Sequence, residues 1–172
     1  SVHTLAVKST NRYEETRDKV KSYLNAEHRE EIIFTKGATE AINLVASTYG
    51  EKFIKKDDEI LVTELEHHSN YVPWNFIREK KGAKITFASV NMKGEVEIDE
   101  IKKKITNKTK IIAITHLSNV TGAIIPIKKI VDLAKQKNIP VLVDGTQGAP
   151  HLEIDMQDLG CDFYAISCHK MY

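Results

Sequence analysis

The chain has 172 residues, 41% hydrophobic and 28% charged, the profile of one ordinary globular domain, long enough to bury about 70% of its unfolded surface. Its 25 basic residues offset 24 acidic ones, so no basic surplus points to nucleic acid, and Lys102-Lys103-Lys104 reads as a solvated helix face. Two cysteines, Cys161 and Cys168, frame no disulfide scaffold and fit a reducing, cytoplasm-like compartment.

In chain order, Thr10 to Asn25 has helical spacing, with Thr10 or Asn11 as its cap and Tyr13, Val20 and Leu24 as its apolar stripe. Glu31 to Phe34 is expected to be a short strand. The chain then breaks at Thr35-Lys36-Gly37-Ala38-Thr39 before helical spacing resumes from Glu40 to Tyr49. Further strands are expected at Glu59–Thr63, Lys84–Ala88, Lys110–Ile114, Pro140–Val143 and Asp162–Ile166. Helices are expected at Tyr71–Lys81, from a cap at Asp99 to Lys104, and at Ile127–Gln136, with a turn at Asn91–Gly94. This alternation predicts an α/β fold, a mostly parallel sheet sandwiched by helices, over residues 1–172 as a single domain.

The longest stretch free of Asp, Glu, Lys and Arg, Ile111 to Ile127, contains His116, Asn119, Gly122 and Pro126 and does not read as a membrane span. Ser1 to Arg12 has no apolar core of a signal peptide. An organellar matrix or stroma stays compatible if a transit peptide has been removed.

Open parallel sheets bind ligands beyond the carboxyl ends of their strands. Five expected strands deliver polar groups there: Gly37-Ala38-Thr39, Glu66 to Asn70, His116 with Ser118 and Asn119, Asp144 with Gly145 and Gln147, and Ser167 with His169 and Lys170. Free backbone N–H groups at Gly37-Ala38-Thr39 suit a phosphate, although a Thr helix cap accounts for the same residues. Asp144 follows three apolar residues and needs a cationic or hydrogen-bonded partner, or else serves the turn at Gly145. His67 and His68 are adjacent, so in extended chain one stacks on a ligand while the other packs inward. No zinc-like spacing links them with Cys161, Cys168 and His169, and no metal is expected. Lys170, after the apolar run Phe163-Tyr164-Ala165-Ile166, is expected at the mouth of a buried strand, where desolvation favours a nucleophilic amine. A phosphate site, a carboxylate for a ring nitrogen and an amine for a carbonyl together describe pyridoxal 5'-phosphate.

The run Glu66-His67-His68-Ser69-Asn70 with Val72-Pro73-Trp74 resembles the signature of the Suf-type (group II) cysteine desulfurases, within the class V aminotransferases and the type I pyridoxal-phosphate transferase fold. Thr115 to Gly122, Val143 to Gln147, Gly160 to Tyr164 and Ser167-Cys168-His169-Lys170 resemble that family in the same order. The resemblance implies that Lys170 forms the Schiff base and moves the substrate Cα proton. By the same resemblance, Asp144 keeps the pyridine nitrogen protonated and His67 stacks on the ring. Gln147 and Asn119 then orient its phenolic oxygen or the substrate carboxylate, and Thr39, Ala38, Ser167 and His169 bind the phosphate. It also implies conversion of L-cysteine to alanine with sulfur held as a persulfide for iron–sulfur cluster assembly, a homodimer and a Suf-type sulfur acceptor. Selenocysteine lyase, another class V aminotransferase, and a non-catalytic scaffold are the alternatives. Cys168 stands where the family has glycine and is read as a tolerated small residue, not the persulfide cysteine. Family members extend before Val2 and well beyond Tyr172, so the chain is expected to be the cofactor-binding large domain, incomplete at both ends and inactive by itself.

Overall fold

Runs of β-branched and aliphatic residues pair into a five-stranded sheet: β1 Glu59–Thr63, β2 Lys84–Ala88, β3 Thr109–Thr115, β4 Val141–Asp144 and β5 Phe163–Ala165, all parallel, in the order β2-β1-β3-β4-β5. The structure is a computed structural model that describes residues 3–171. Its helices are α1 Thr4–Leu24, α2 Ala38–Val45, α3 Glu51–Phe53, α4 His68–Lys81, α5 Ile98–Lys104, α6 Ile127–Lys135, α7 Gly148–His151 and α8 Met156–Leu159. A π-helical turn, Ala46–Gly50, joins α2 to α3.

Side chains alternate across a strand, and here both faces of the sheet are apolar. Leu61, Ile112, Ile114, Val141 and Val143 face Ile101 of α5 and Ile127, Ile130 and Val131 of α6. Ile60, Val62, Ile111, Ala113 and Leu142 face Ala38 and Ile42 of α2 and Trp74 and Ile77 of α4. A sheet covered on both sides has its unpaired backbone at the strand ends and edges, and this places any ligand site there. No helix among the described residues is long and apolar enough to cross a membrane.

Several expectations change. The α1 helix begins at Thr4, with His3 at its cap position, and runs through Thr10 and Asn11. Residues Leu5 to Lys8 favour helix, and exposed Thr and Asn in a long helix weaken it without ending it. The helix stops at Asn25, which adopts left-handed geometry.

Glu31 to Phe34 joins no ladder. Arg29–Glu31 forms a 3₁₀ turn, and the following residues run extended beside α1. There the Arg17 guanidinium donates to the Ile32 carbonyl and lies 5.0 Å from the Phe34 ring. Ile32 packs with Leu24, Ala26 and Ile154. Arg17 and the Leu24 cluster therefore hold Ile32 and Phe34 outside the sheet, while Ile33 stays exposed.

At α5 the cap position belongs to Glu97, and Asp99 with Glu100 lies in the first turn, where negative charge meets the positive end of the helix dipole.

Candidate active site

The carboxyl edge of the sheet gathers residues from four strands. Asp144, the last residue of β4, is only 3% exposed and is flanked in register by Thr115 of β3 and Ala165 of β5. Its Oδ1 accepts a hydrogen bond from the Thr146 N–H at 3.0 Å, so the turn role weighed from sequence is filled. Two residues past β5, buried Ser167 accepts the Ala38 N–H at 2.9 Å. This bond ties the start of α2 to the end of β5, although the segment before Gly37 is not a strand. Gly37 has φ of 151°, in the region glycine tolerates best, and a Cβ there would lie 3.4 Å from Ser167 Oγ.

The remaining expected site residues follow the strand ends or begin helices. Thr39 is exposed on the first turn of α2. Gln147 is half-buried at the cap position of α7. Asn119 is exposed on a loop closed by an antiparallel bridge between Leu117 and Ile124. The Ser118 hydroxyl stiffens that loop by accepting the Val120 and Thr121 N–H groups.

His169 and Lys170 belong to a 3₁₀ turn, Cys168–Lys170, and both are exposed. The desolvation expected at Lys170 is thus not provided by this chain, because β5 ends at Ala165 and the turn carries Lys170 outward. Tyr172 lies outside the described residues.

The histidine pair also differs from expectation. His67 and His68 are both exposed, with rings 6.0 Å apart at 80°. His67 caps α4 and His68 begins it, so the alternation of an extended chain does not apply. His67 Nδ1 accepts the Ser69 N–H at 3.2 Å and lies 2.8 Å from the Ser69 hydroxyl. With Nδ1 so occupied, the hydrogen of a neutral ring sits on Nε2 and points away from the helix.

Sequence reasoning gave no role to two groups beside these residues, the partly buried Glu66 and the buried His116. The Glu66 Oε1 accepts from the Thr63 hydroxyl at 2.6 Å and the Thr115 N–H at 3.0 Å, while Oε2 accepts from the Asn70 amide at 2.6 Å. Burial pushes its carboxyl up from 4.5 to about 7, with the nearby Asp144 charge adding to the effect and the three hydrogen bonds opposing it. The sequence signal was a carboxylate immediately before the histidines, three residues after a strand that ends in Thr63.

The second group is His116, whose Nδ1 lies 2.8 Å from the Tyr164 hydroxyl. Burial lowers the pKa of His116 and raises that of Tyr164, so both are held neutral. Tyr164 fills the space over two glycines: a Cβ on Gly145 would come within 2.0 Å of its ring, and one on Gly148 within 2.8 Å of its hydroxyl. Of the cysteines, Cys161 is partly buried, and burial pushes its thiol up to about 12, which suppresses the thiolate. Cys168 is exposed and unbridged.

An open parallel sheet with polar groups gathered at its carboxyl edge is the arrangement at which α/β domains bind ligands. Residues 1–172 match the family model described as aminotransferase class-V, and the chain belongs to that family. It is 48% identical over 170 residues to a probable cysteine desulfurase of Halalkalibacterium halodurans, covering 99% of this chain and 42% of that protein. It is 43% identical over 172 residues to a cysteine desulfurase of Synechococcus elongatus, of which it covers 28%. Its fold superposes on the cysteine desulfurase CsdA of Escherichia coli with TM-score 0.91 and 39% identity, covering 99% of this chain and 43% of that one. The apo cysteine desulfurase of Thermococcus onnurineus gives TM-score 0.92 at 37% identity, covering 98% and 42%. The chain therefore spans less than half the length of these relatives.

Two outcomes test the geometry. Because Glu66 binds its proton more tightly folded than unfolded, the full-length wild type loses stability relative to Glu66→Gln as pH rises from 4.5 to about 7. The change in that difference across the window approaches about 3 kcal/mol, read from denaturant midpoints; the opposite contribution of His116 is present in both proteins and cancels. Gly145→Ala forces the Tyr164 ring from its place and its bond to His116, so its unfolding free energy falls by about 1–3 kcal/mol.

Proposed function

We propose that the chain is the cofactor-binding domain of a pyridoxal-phosphate-dependent cysteine desulfurase of the Suf type, incomplete at both ends. The observation that carries this reading is the single sheet edge at which Asp144 lies buried between β3 and β5 while Ser167 ties α2 to β5, with Lys170 in the turn that follows.

The residues fit the cofactor's three demands. The start of α2, with Ala38, Thr39 and the Ser167 hydroxyl, provides hydrogen-bonding groups and the positive end of a helix dipole for a phosphate, joined by His169 from the neighbouring turn. Asp144 is a buried carboxylate of the kind that needs a cationic partner, and a protonated ring nitrogen is one. Lys170 is an exposed primary amine, available to a carbonyl.

When bound, pyridoxal 5'-phosphate supplies an aldehyde that condenses with amines and a pyridinium ring that takes up the electrons left by a lost proton. Asp144 would hold the ring nitrogen protonated, and His67 would stack on the ring, with its Nδ1 held by Ser69. Gln147 and Asn119 would orient the phenolic oxygen or the substrate carboxylate. Lys170 would hold the cofactor and then move the proton at the Cα of L-cysteine. Sulfur would leave the substrate as a persulfide on a cysteine of the full-length protein, the products being alanine and sulfur for a Suf-type acceptor in iron–sulfur cluster assembly. Cys161 does not suit this role, since burial keeps its thiol protonated.

We infer a cytoplasmic homodimer. A groove of about 850 Å³ along the free edge of β5, lined by Leu24, Phe34, Leu44 and Phe163, is where further parts of the subunit would pack. The lengths of the relatives support that reading.

The decisive measurement is visible absorbance of the full-length protein with pyridoxal phosphate. Wild type shows the lysine-adduct band, and Lys170→Ala loses it together with turnover by a factor of at least about 10³; a band that survives the substitution refutes the assignment. The 172-residue chain alone releases no alanine from L-cysteine, and measurable release would show that a persulfide-forming cysteine elsewhere in the protein is dispensable.

A further inference from the structure

The exposed His67 ring stands on the cap of α4, and loops at strand ends are mobile unless something fixes them. What fixes this one is the residue before it. Glu66 turns inward while His67 turns outward, and its carboxyl meets three separate elements. Thr63 at the end of β1 and the Thr115 N–H at the end of β3 share Oε1, at 2.6 and 3.0 Å. Asn70, in the first turn of α4, donates to Oε2 at 2.6 Å. The Asn70 Oδ1 in turn accepts the indole N–H of Trp74 at 3.3 Å, and Trp74 and Asn70 are both fully buried.

The polarity of this chain of bonds has only one consistent direction. Trp74 offers a donor and nothing else, so Asn70 must present its oxygen to Trp74 and its NH₂ to Glu66. Glu66 must then accept on both oxygens. Thr115, the backbone donor, pairs in register with Asp144, so the start of α4 is fastened one strand away from the buried carboxylate of the site.

We propose that Glu66 and Asn70 form a clamp that positions His67: Glu66 is a positioning residue that holds the cap of α4 against the ends of β1 and β3 and thereby fixes the imidazole over the site. This rests on the reading of His67 given under Proposed function.

The same polarity supplies the test. Glu66→Gln keeps size but sets the new side-chain NH₂ against an N–H donor in either orientation, that of Asn70 or that of Thr115. The double variant Glu66→Gln with Asn70→Asp reverses the bond between positions 66 and 70. The amide introduced at position 66 then donates, the carboxylate introduced at position 70 accepts from both that amide and Trp74, and the net charge is unchanged. The variants are made in the full-length protein. Two properties are read: amide hydrogen exchange of residues 64–74 without cofactor, and kcat and KM for L-cysteine with cofactor.

Glu66→Gln is expected to speed exchange in the first turn of α4 about tenfold and to lower kcat about tenfold, with KM changed by less than about twofold. The double variant is expected to return exchange and kcat to within about threefold of wild type. Unchanged exchange and kcat in Glu66→Gln overturn the proposal, as does a folded double variant that recovers neither. If Glu66→Gln does not fold, the double variant decides alone: folded and active supports the clamp, unfolded or inactive refutes it. If exchange responds as expected but His67→Ala keeps wild-type turnover, the positioning proposal falls with the role given to His67, whereas the reading of Lys170 is untouched and remains testable by absorbance.

Discussion

Burial of both faces of one parallel sheet is the constraint on which the rest of this molecule depends. Helices α2 and α4 cover one side and α5 and α6 the other, so the middles of β1, β3 and β4 are aliphatic up to their last position. There the chemistry changes abruptly. The strands finish in Thr63, Thr115 and Asp144, and Ser167 lies just past β5, each of them buried. Polar groups in such a place need partners of their own, and their partners are one another's neighbours: the Ala38 N–H for Ser167, the Thr146 N–H for Asp144, the Glu66 carboxyl for both threonine-bearing strands. These polar atoms close the ends of the core.

Glu66 shows how finely that closure is balanced. Desolvation favours the protonated acid, and three donors favour the carboxylate; the first effect is the larger, with Asp144 adding to it. Deleting the carboxyl would strand the donors of Thr115 and Asn70 inside the protein, which costs about 1–3 kcal/mol for each unsatisfied group. A carboxylate retained at such a position is explained better by what it holds in place than by its own contribution to stability.

Much of the architecture was readable from pattern alone, because hydrophobic period and turn residues act locally. The strands Glu59–Thr63 and Lys84–Ala88 have the limits that β-branched runs and flanking polar residues indicate. What escaped was set by contacts distant in sequence. Glu31 to Phe34 has strand composition, but Arg17 and the Leu24 cluster claim it. Thr10 and Asn11 are good caps, yet the helix-favouring residues before them extend α1 to Thr4. The expected site residues Asp144 and Ser167 were legible as polar groups following apolar runs, and both lie buried at the carboxyl edge of the sheet, Ser167 bonded to the Ala38 N–H. The exposure of Lys170 and of both histidines was not legible, since it depends on where a 3₁₀ turn and a helix cap aim their side chains. The Glu66 network was hidden for the same reason: its donors come from β1, β3 and α4, and only folding makes them adjacent.

Trp74 is the only tryptophan in these 172 residues, and it is sealed in the core with its indole N–H bonded to Asn70. The chain thus carries a single indole fluorophore, wired directly to the polar junction behind His67. Indole emission responds to the polarity and hydrogen bonding around the ring, so in this domain the colour of that light reports on one junction rather than averaging over the fold. A spectroscopist following the approach of a ligand to the carboxyl edge would be watching it from the inside.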